Sequence, residues 1–363
     1  MKRSLFTLTL LCVCLGGLVI VWRLSGATPL AAQPAPPSDS GPSVVDEQSA
    51  YLPVLVRNED DVSCGAIQQA IDNLPAGGGQ IILSNGVFIC ESPVVIARDH
   101  VVLRGQGPAT VLSLVAGANS PVLVIGDTAT PPANYGHIHV ADLTIDGNRT
   151  QQTMECWGGP CDGGGTTVIR NNGITVRGAS DVIIERVAVS RARSGGLVTE
   201  KNSRRLTIRD FTATDNQFDG LAAYQTEDSI FSGLTLHDNL LAGLSLDIDF
   251  DHNVVSGAVM TGNGRQGIFM RDAHDNVFSD IQIRDSGEMG LFLAQAADTD
   301  PNSCAIGNTF HGLMVADSAQ MGLRVNDAAC VQNLVVGAQF TGNAECISEA
   351  APGLVEQSAV VCR

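Results

Sequence analysis

The chain has 363 residues, and its 38 Asp and Glu against 21 Lys and Arg give a formal charge of −17. That balance excludes nucleic acid as a partner, because phosphate contacts need clustered Lys and Arg. Aromatic residues make up only 4% while glycines number 39, which suits short strands and tight turns better than a globular α/β enzyme.

Taken from the start, Lys2 and Arg3 precede an apolar run over 5–22, and the small residues Ser25, Gly26 and Ala27 follow it. Residues 1–27 therefore read as a signal peptide, or as a membrane anchor if uncleaved, since the run is about long enough to span a bilayer. Both readings place the remainder outside the cytoplasm, secreted or at the cell surface, with membrane contact only if the segment is retained. Residues 28–50 are a Pro-rich linker without apolar periodicity, and 51–363 form one domain. Ala66, Ile67, Ala70, Ile71 and Leu74 recur at helical spacing and stop at Pro75 and the glycines 77–79, which predicts one short helix.

Eight cysteines remain beyond the leader: Cys64, Cys90, Cys156, Cys161, Cys304, Cys330, Cys346 and Cys362. An even number in an exported chain implies disulfides, and pairing in sequence order is the simplest of many connectivities. No spacing resembles a zinc site.

Beyond the helix an internal repeat dominates. Glycines 173, 196, 220, 243, 267, 290 and 322 each open a short apolar strand, at spacings of 23, 24, 23, 24, 23 and 32 residues. A second short strand follows, often led by Asn, as at Asn253, Asn276, Asn308 and Asn333, and a third ends in a polar turn. Such a unit cannot bury its apolar residues alone, but stacked coils make a continuous core at ~4.8 Å per coil. The prediction is an all-β, single-stranded right-handed parallel β-helix with three strands per coil. Asn ladders would run inside it, and the short helix would cap its N-terminal edge. Leucine-rich repeats have a similar period but a different signature.

The run 66–114, with AGGGQIIL and VVLRGQGPATVL, resembles the opening of the pectate-lyase-like β-helix superfamily. LTIDGN at 143–148, LTIRD at 206–210 and NQFDGLAAYQ at 216–225 resemble the catalytic module of mannuronan C5-epimerases. That family carries a Tyr-Gly-Phe-Asp-Pro-His motif whose Asp and His face the substrate groove and whose Tyr and His supply acid–base chemistry. The matching stretch here is Gly195, Gly196, Leu197, Val198, Thr199 and Glu200, which keeps only the fold glycine. The family's mechanism therefore does not carry over.

Strand alternation turns the second and fourth residues after each repeat glycine outward. The fourth positions read Arg177, Glu200, Tyr224, Asp247 and Arg271 on successive coils, and the second include Phe269, Phe292 and Arg324. Lys201 and Asp272 flank them, and the insertion 149–172 holds Trp157 between Cys156 and Cys161. Arg177, Lys201, Arg271, Asp272, Phe269 and Trp157 are the expected substrate-binding residues; Glu200, Tyr224 and Asp247 are the expected catalytic ones. The guanidiniums would neutralise a uronate carboxylate and lower the pKa of Tyr224 or Lys201 for proton transfer. Alternatively Glu200 and Asp247, two coils or ~9.6 Å apart, would flank a glycosidic bond as in inverting glycosidases. No cofactor is expected, although Asp247, Asp249 and Asp251 alternate along one strand and offer oxygen ligands to Ca²⁺. Two function classes stay open: an enzyme acting on extracellular polysaccharide by lyase, epimerase or hydrolase chemistry, and a non-catalytic glycan-binding or cell-surface scaffold.

Overall fold

Backbone pairing follows the glycine repeat. In the computed structural model, Ile174–Arg177, Leu197–Glu200, Leu221–Glu227, Leu244–Asp251, Ile268–Arg271, Leu291–Ala294 and Met321–Val325 lie side by side as parallel strands. The N–H groups of Gly173, Gly196, Gly220 and Gly243 donate at 2.9–3.0 Å to the residues preceding the next glycine: Gly195, Asp219, Ala242 and Gln266. The glycines thus stand in one line, as their spacing predicts. A Cβ on Gly196 would lie 2.4 Å from the Gly220 carbonyl oxygen, so the approach of the coils excludes any other residue there.

The structure describes residues 53–56, 62–161, 169–296 and 303–363; the expected leader and linker lie outside these. The described strands all join one parallel sheet that winds into a right-handed β-helix. The one α-helix among the described residues, α1, spans Cys64–Asp72 and starts two residues before the apolar periodicity, because the Ser63 hydroxyl accepts from the Ala66 N–H. Ile67 and Ile71 enter the core. Arg98, one coil later, donates to the Ile71, Leu74 and Pro75 carbonyls at 2.7–2.8 Å and closes the helix end.

The interior is layered by residue type. Phe231, Phe250, Phe278, Phe310 and Phe340 occupy successive coils at 0–1% exposure, with the Phe278 and Phe310 rings 4.7 Å apart. Beside them run two asparagine ladders. Asn276 donates to Asn308 Oδ1 at 2.9 Å, and Asn308 to Asn333 Oδ1 at 3.1 Å. On another corner Asn216 donates to Asn239 at 2.8 Å and Asn239 to Asn263 at 3.0 Å. Each side chain also serves corner backbone that has no strand partner, which is why asparagine recurs there. The cysteines pair in sequence order: Cys64–Cys90, Cys156–Cys161, Cys304–Cys330 and Cys346–Cys362, with Cα separations of 4.8, 5.3, 5.0 and 5.8 Å.

Asn276 tests the ladder. Its side chain donates to the Phe250 carbonyl at 2.8 Å and accepts from the Asn253 N–H at 2.8 Å. Asn276→Ala orphans both groups in the core and is expected to cost ~2–4 kcal/mol in urea unfolding, whereas Gln282→Ala on the exterior should stay within ~0.5 kcal/mol. Equal losses for the two would contradict the ladder's role.

Candidate active site

The strands that follow the repeat glycines end in a shared backbone feature. In the first five of them the fifth residue is left-handed: Gly178 (φ 56°), Lys201 (60°), Gln225 (48°), Ile248 (53°) and Asp272 (43°). Alternation therefore holds for four residues and then breaks. The fourth-position side chains come to lie at the lip of an exterior cavity of about 550 Å³, lined among others by Glu200, Lys201, Asp219, Tyr224, Asp247 and Arg271.

The upstream end of this face is covered. Arg177 was expected to face outward toward substrate, but its side chain is 1% exposed. The loop at 127–134 lies over it, with the Ala129 carbonyl and the Thr130 hydroxyl accepting from its guanidinium. Arg177 donates to Glu200 at 2.5 Å and anchors that carboxylate rather than reaching the cavity surface. Asp247 is bound the other way, to Arg271 one coil downstream, at 3.0 Å from Nε. Each carboxylate is committed to its own guanidinium in opposite directions along the stack, which opposes their use as a pair across one glycosidic bond.

Between them lies a group that the alternation frame does not reach. Asp219 precedes Gly220, in the column Asn172, Gly195 and Asp219, all of which line the cavity. The Ala242 N–H donates to its carboxylate at 2.8 Å, and Ser245 lies beside both Asp219 and Tyr224. Burial pushes the Asp219 carboxyl up to about 6. The Tyr224 phenol is pushed up as well, first by burial and then by Asp219 and Asp247. This reverses the expectation that nearby cations would lower it, because Arg177 and Arg271 are already paired. Arg170 is paired with Glu155 and lies 5.5 Å over the Phe218 ring. Lys201 has no carboxylate partner among the described residues, so it is the cavity cation left to meet an external anion.

Three further expectations change. Trp157 is half-buried, its backbone N–H donates to the Ile169 carbonyl at 2.9 Å, and it does not line the cavity. Asp272 is 4% exposed and accepts from the Ser303 hydroxyl, away from the groove. Asp247, Asp249 and Asp251 do not project together: Ile248 and Asp249 are both left-handed, so Ile248 turns into the cavity while Asp247 is buried against Arg271. Among the described residues no three His, Cys, Asp or Glu side chains could share a metal ion, so this set does not fit Ca²⁺. Phe269 lies beside the cavity, under Arg271 at 5.4 Å and stacked on Phe292 at 5.5 Å.

The raised Asp219 carboxyl has a consequence for stability. Between its ordinary 3.8 and about 6 the folded chain holds a proton that the unfolded chain has lost, so this group destabilises the fold as pH rises through that window. Asp219→Asn should gain on the wild type, by on the order of 1–3 kcal/mol, between pH 4 and pH 7 in urea titrations. A difference that does not change with pH would contradict the assignment.

Comparison with known proteins agrees with this architecture. The family model for the right-handed β-helix region matches residues 137–298 and 195–350. The mannuronan C5-epimerase AlgE2 of Azotobacter vinelandii is 30% identical over 223 residues, covering 58% of this chain and 21% of that protein. Alginate lyase 7 of the same organism is 30% identical over 199 residues, covering 52% and 22%. The chain thus spans about a fifth of the length of these relatives. Among solved structures, the A-module of Azotobacter vinelandii mannuronan C-5 epimerase AlgE4 superposes with a TM-score of 0.58 at 20% identity, over 84% of this chain and 95% of that one. The endo-xylogalacturonan hydrolase of Aspergillus tubingensis superposes with a TM-score of 0.61 at 10% identity, over 86% and 93%. These two likenesses are of fold. With more than half of its residues matched by the family model, the chain belongs to the right-handed β-helix family.

Proposed function

We propose that the chain is an extracytoplasmic enzyme that removes the proton next to a uronate carboxylate in a polysaccharide held in this cavity, in the manner of a lyase or epimerase. One observation carries the reading: a Lys201 with no carboxylate partner among the described residues, a recessed Asp219 carboxyl and the Tyr224 phenol line one cavity of an otherwise strongly acidic chain. Mannuronan and alginate, named for the relatives, are uronate polymers, and the four disulfides suit an oxidising compartment.

The roles follow from charge. Lys201 meets the sugar carboxylate and withdraws the negative charge that otherwise opposes deprotonation of the neighbouring carbon. Asp219, ionised above about 6, is the base, and its raised proton affinity makes it stronger than an ordinary carboxylate. Tyr224 stays protonated at neutrality and delivers a proton, either to the opposite face of the sugar or to the departing glycosidic oxygen. Asp247 and Glu200, each bound to its guanidinium, set the shape and field of the cavity.

A second reading, glycan binding without turnover, is favoured by Gly195 and Val198. They line the cavity where the epimerase motif carries its Tyr and Asp.

Incubation with polymannuronate, polygalacturonate and a neutral glucan separates the readings, following unsaturated ends by ultraviolet absorbance and inverted centres by NMR. Activity on a polyuronate is expected, rising with pH through about 6 as Asp219 ionises. Asp219→Asn and Tyr224→Phe should each lower turnover by ~10²-fold or more, with Glu200→Gln losing less. New reducing ends without unsaturation would replace this chemistry by hydrolysis, and binding without any product would establish the second reading.

A further inference from the structure

Among the described residues seven phenylalanines are at most 1% exposed and belong to the core. The three others, Phe218, Phe269 and Phe292, are half-buried and all belong to the groove face. In a chain with 4% aromatic residues, placing all three non-core phenylalanines of the described residues on one exterior face is a costly use of apolar surface unless something covers it.

The register gives these rings a direction. Ser245, in contact with Asp219 and Tyr224, pairs with Phe269, Phe269 with Phe292, and Phe292 with Arg324, on four successive coils. The two rings are stacked 5.5 Å apart, inclined by 16°, and make a nearly continuous apolar strip. Arg324 closes the strip: it is half-buried, donates to the Ser348 hydroxyl at 2.7 Å, and has no carboxylate partner among the described residues. From the coil of Tyr224 to that of Arg324 is four steps, ~19 Å at the coil spacing. At the other end the loop over Arg177 covers the face, so an extended ligand leaves the cavity along the phenylalanine strip.

We infer that Phe269, Phe292 and Arg324 form a distal subsite that holds an anionic sugar residue of the same polysaccharide chain, two to four coils downstream of the acid–base cluster. The outward apolar surface of the stacked rings packs against the C–H groups of successive pyranoses, which advance by about one coil per residue. Arg324 binds the carboxylate of the last one through charge-assisted hydrogen bonds. This rests on the polysaccharide reading of the cavity and adds to it a minimum chain length, a direction of binding and a second requirement for negative charge. The enzyme would engage internal stretches of a long uronate chain in preference to short fragments.

The test is the dependence of affinity on ligand length, measured by calorimetry with linear uronate trimers and hexamers and with a neutral hexamer. Wild-type protein should prefer the uronate hexamer to the trimer by ~10-fold or more, since the added residues gain stacking and an ion-paired contact. Phe292→Ala and Arg324→Ala should each reduce that preference by several-fold, and only the Arg324 effect should fade with added salt. Phe292→Tyr, which keeps the ring, should retain the preference, so a lost preference can be told from misfolding. A wild type that binds the two uronate oligomers equally, or variants that keep the full preference, would overturn the distal subsite and leave the cavity reading standing. A neutral hexamer bound as tightly as the charged one would overturn the role of Arg324. Failure of every oligomer to bind would instead overturn the polysaccharide reading, and the subsite with it.

Discussion

Each strand of this fold finds its hydrogen-bond partners one coil away, so the whole molecule depends on coils stacking in register. The repeat glycines mark where that constraint is tightest: the Gly196 Cα faces the Gly220 carbonyl with no room for a side chain. Because the glycines align, everything counted from them aligns too. The interior column Phe231, Val255, Phe278, Phe310 and Val335, the asparagine ladders and the second and fourth exterior positions are consequences of one period. The groove is a product of the same geometry, since seven strands of one sheet present their outer residues as parallel rows.

The proposed chemistry sits where the period is locally broken. The left-handed residue after the fourth position of the first five glycine-led strands ends the alternation there and lets Lys201 and Ile248 reach the cavity. The loop at 127–134 covers Arg177 and converts a surface guanidinium into an internal anchor for Glu200. Asp219 lies one residue before the glycine frame begins, recessed enough for burial to raise its proton affinity. A regular scaffold supplies spacing, and its irregular points supply chemistry, as expected when rigid elements position loop and terminal residues.

This division explains what was legible in the chain. The repeat, the helix near 66–74, the asparagine ladders and the sequential disulfides all follow from local spacing, because consecutive coils are also neighbours in space. The presence of Glu200, Tyr224, Asp247 and Arg271 around one cavity follows from the same counting. The burial of Arg177 does not, because the atoms that bury it come from residues almost fifty positions earlier. The Asp247, Asp249 and Asp251 series misled because hydrophobic alternation carries no sign of two consecutive left-handed residues. Asp219 stood outside a frame that counted forward from the glycines. The polar column Asn172, Gly195 and Asp219 was the available signal for it.

The central claim is that Asp219, Tyr224 and Lys201 act together on one uronate residue of a bound chain. A crystal structure of Asp219→Asn with a uronate hexamer tests it most directly. The account predicts a chain running along the stack from the cavity, with one carboxylate on Lys201 and the adjacent sugar carbon ~3–3.5 Å from the side chain at position 219. A hexamer bound to another face, or with neither Lys201 nor position 219 in contact with sugar, would contradict it.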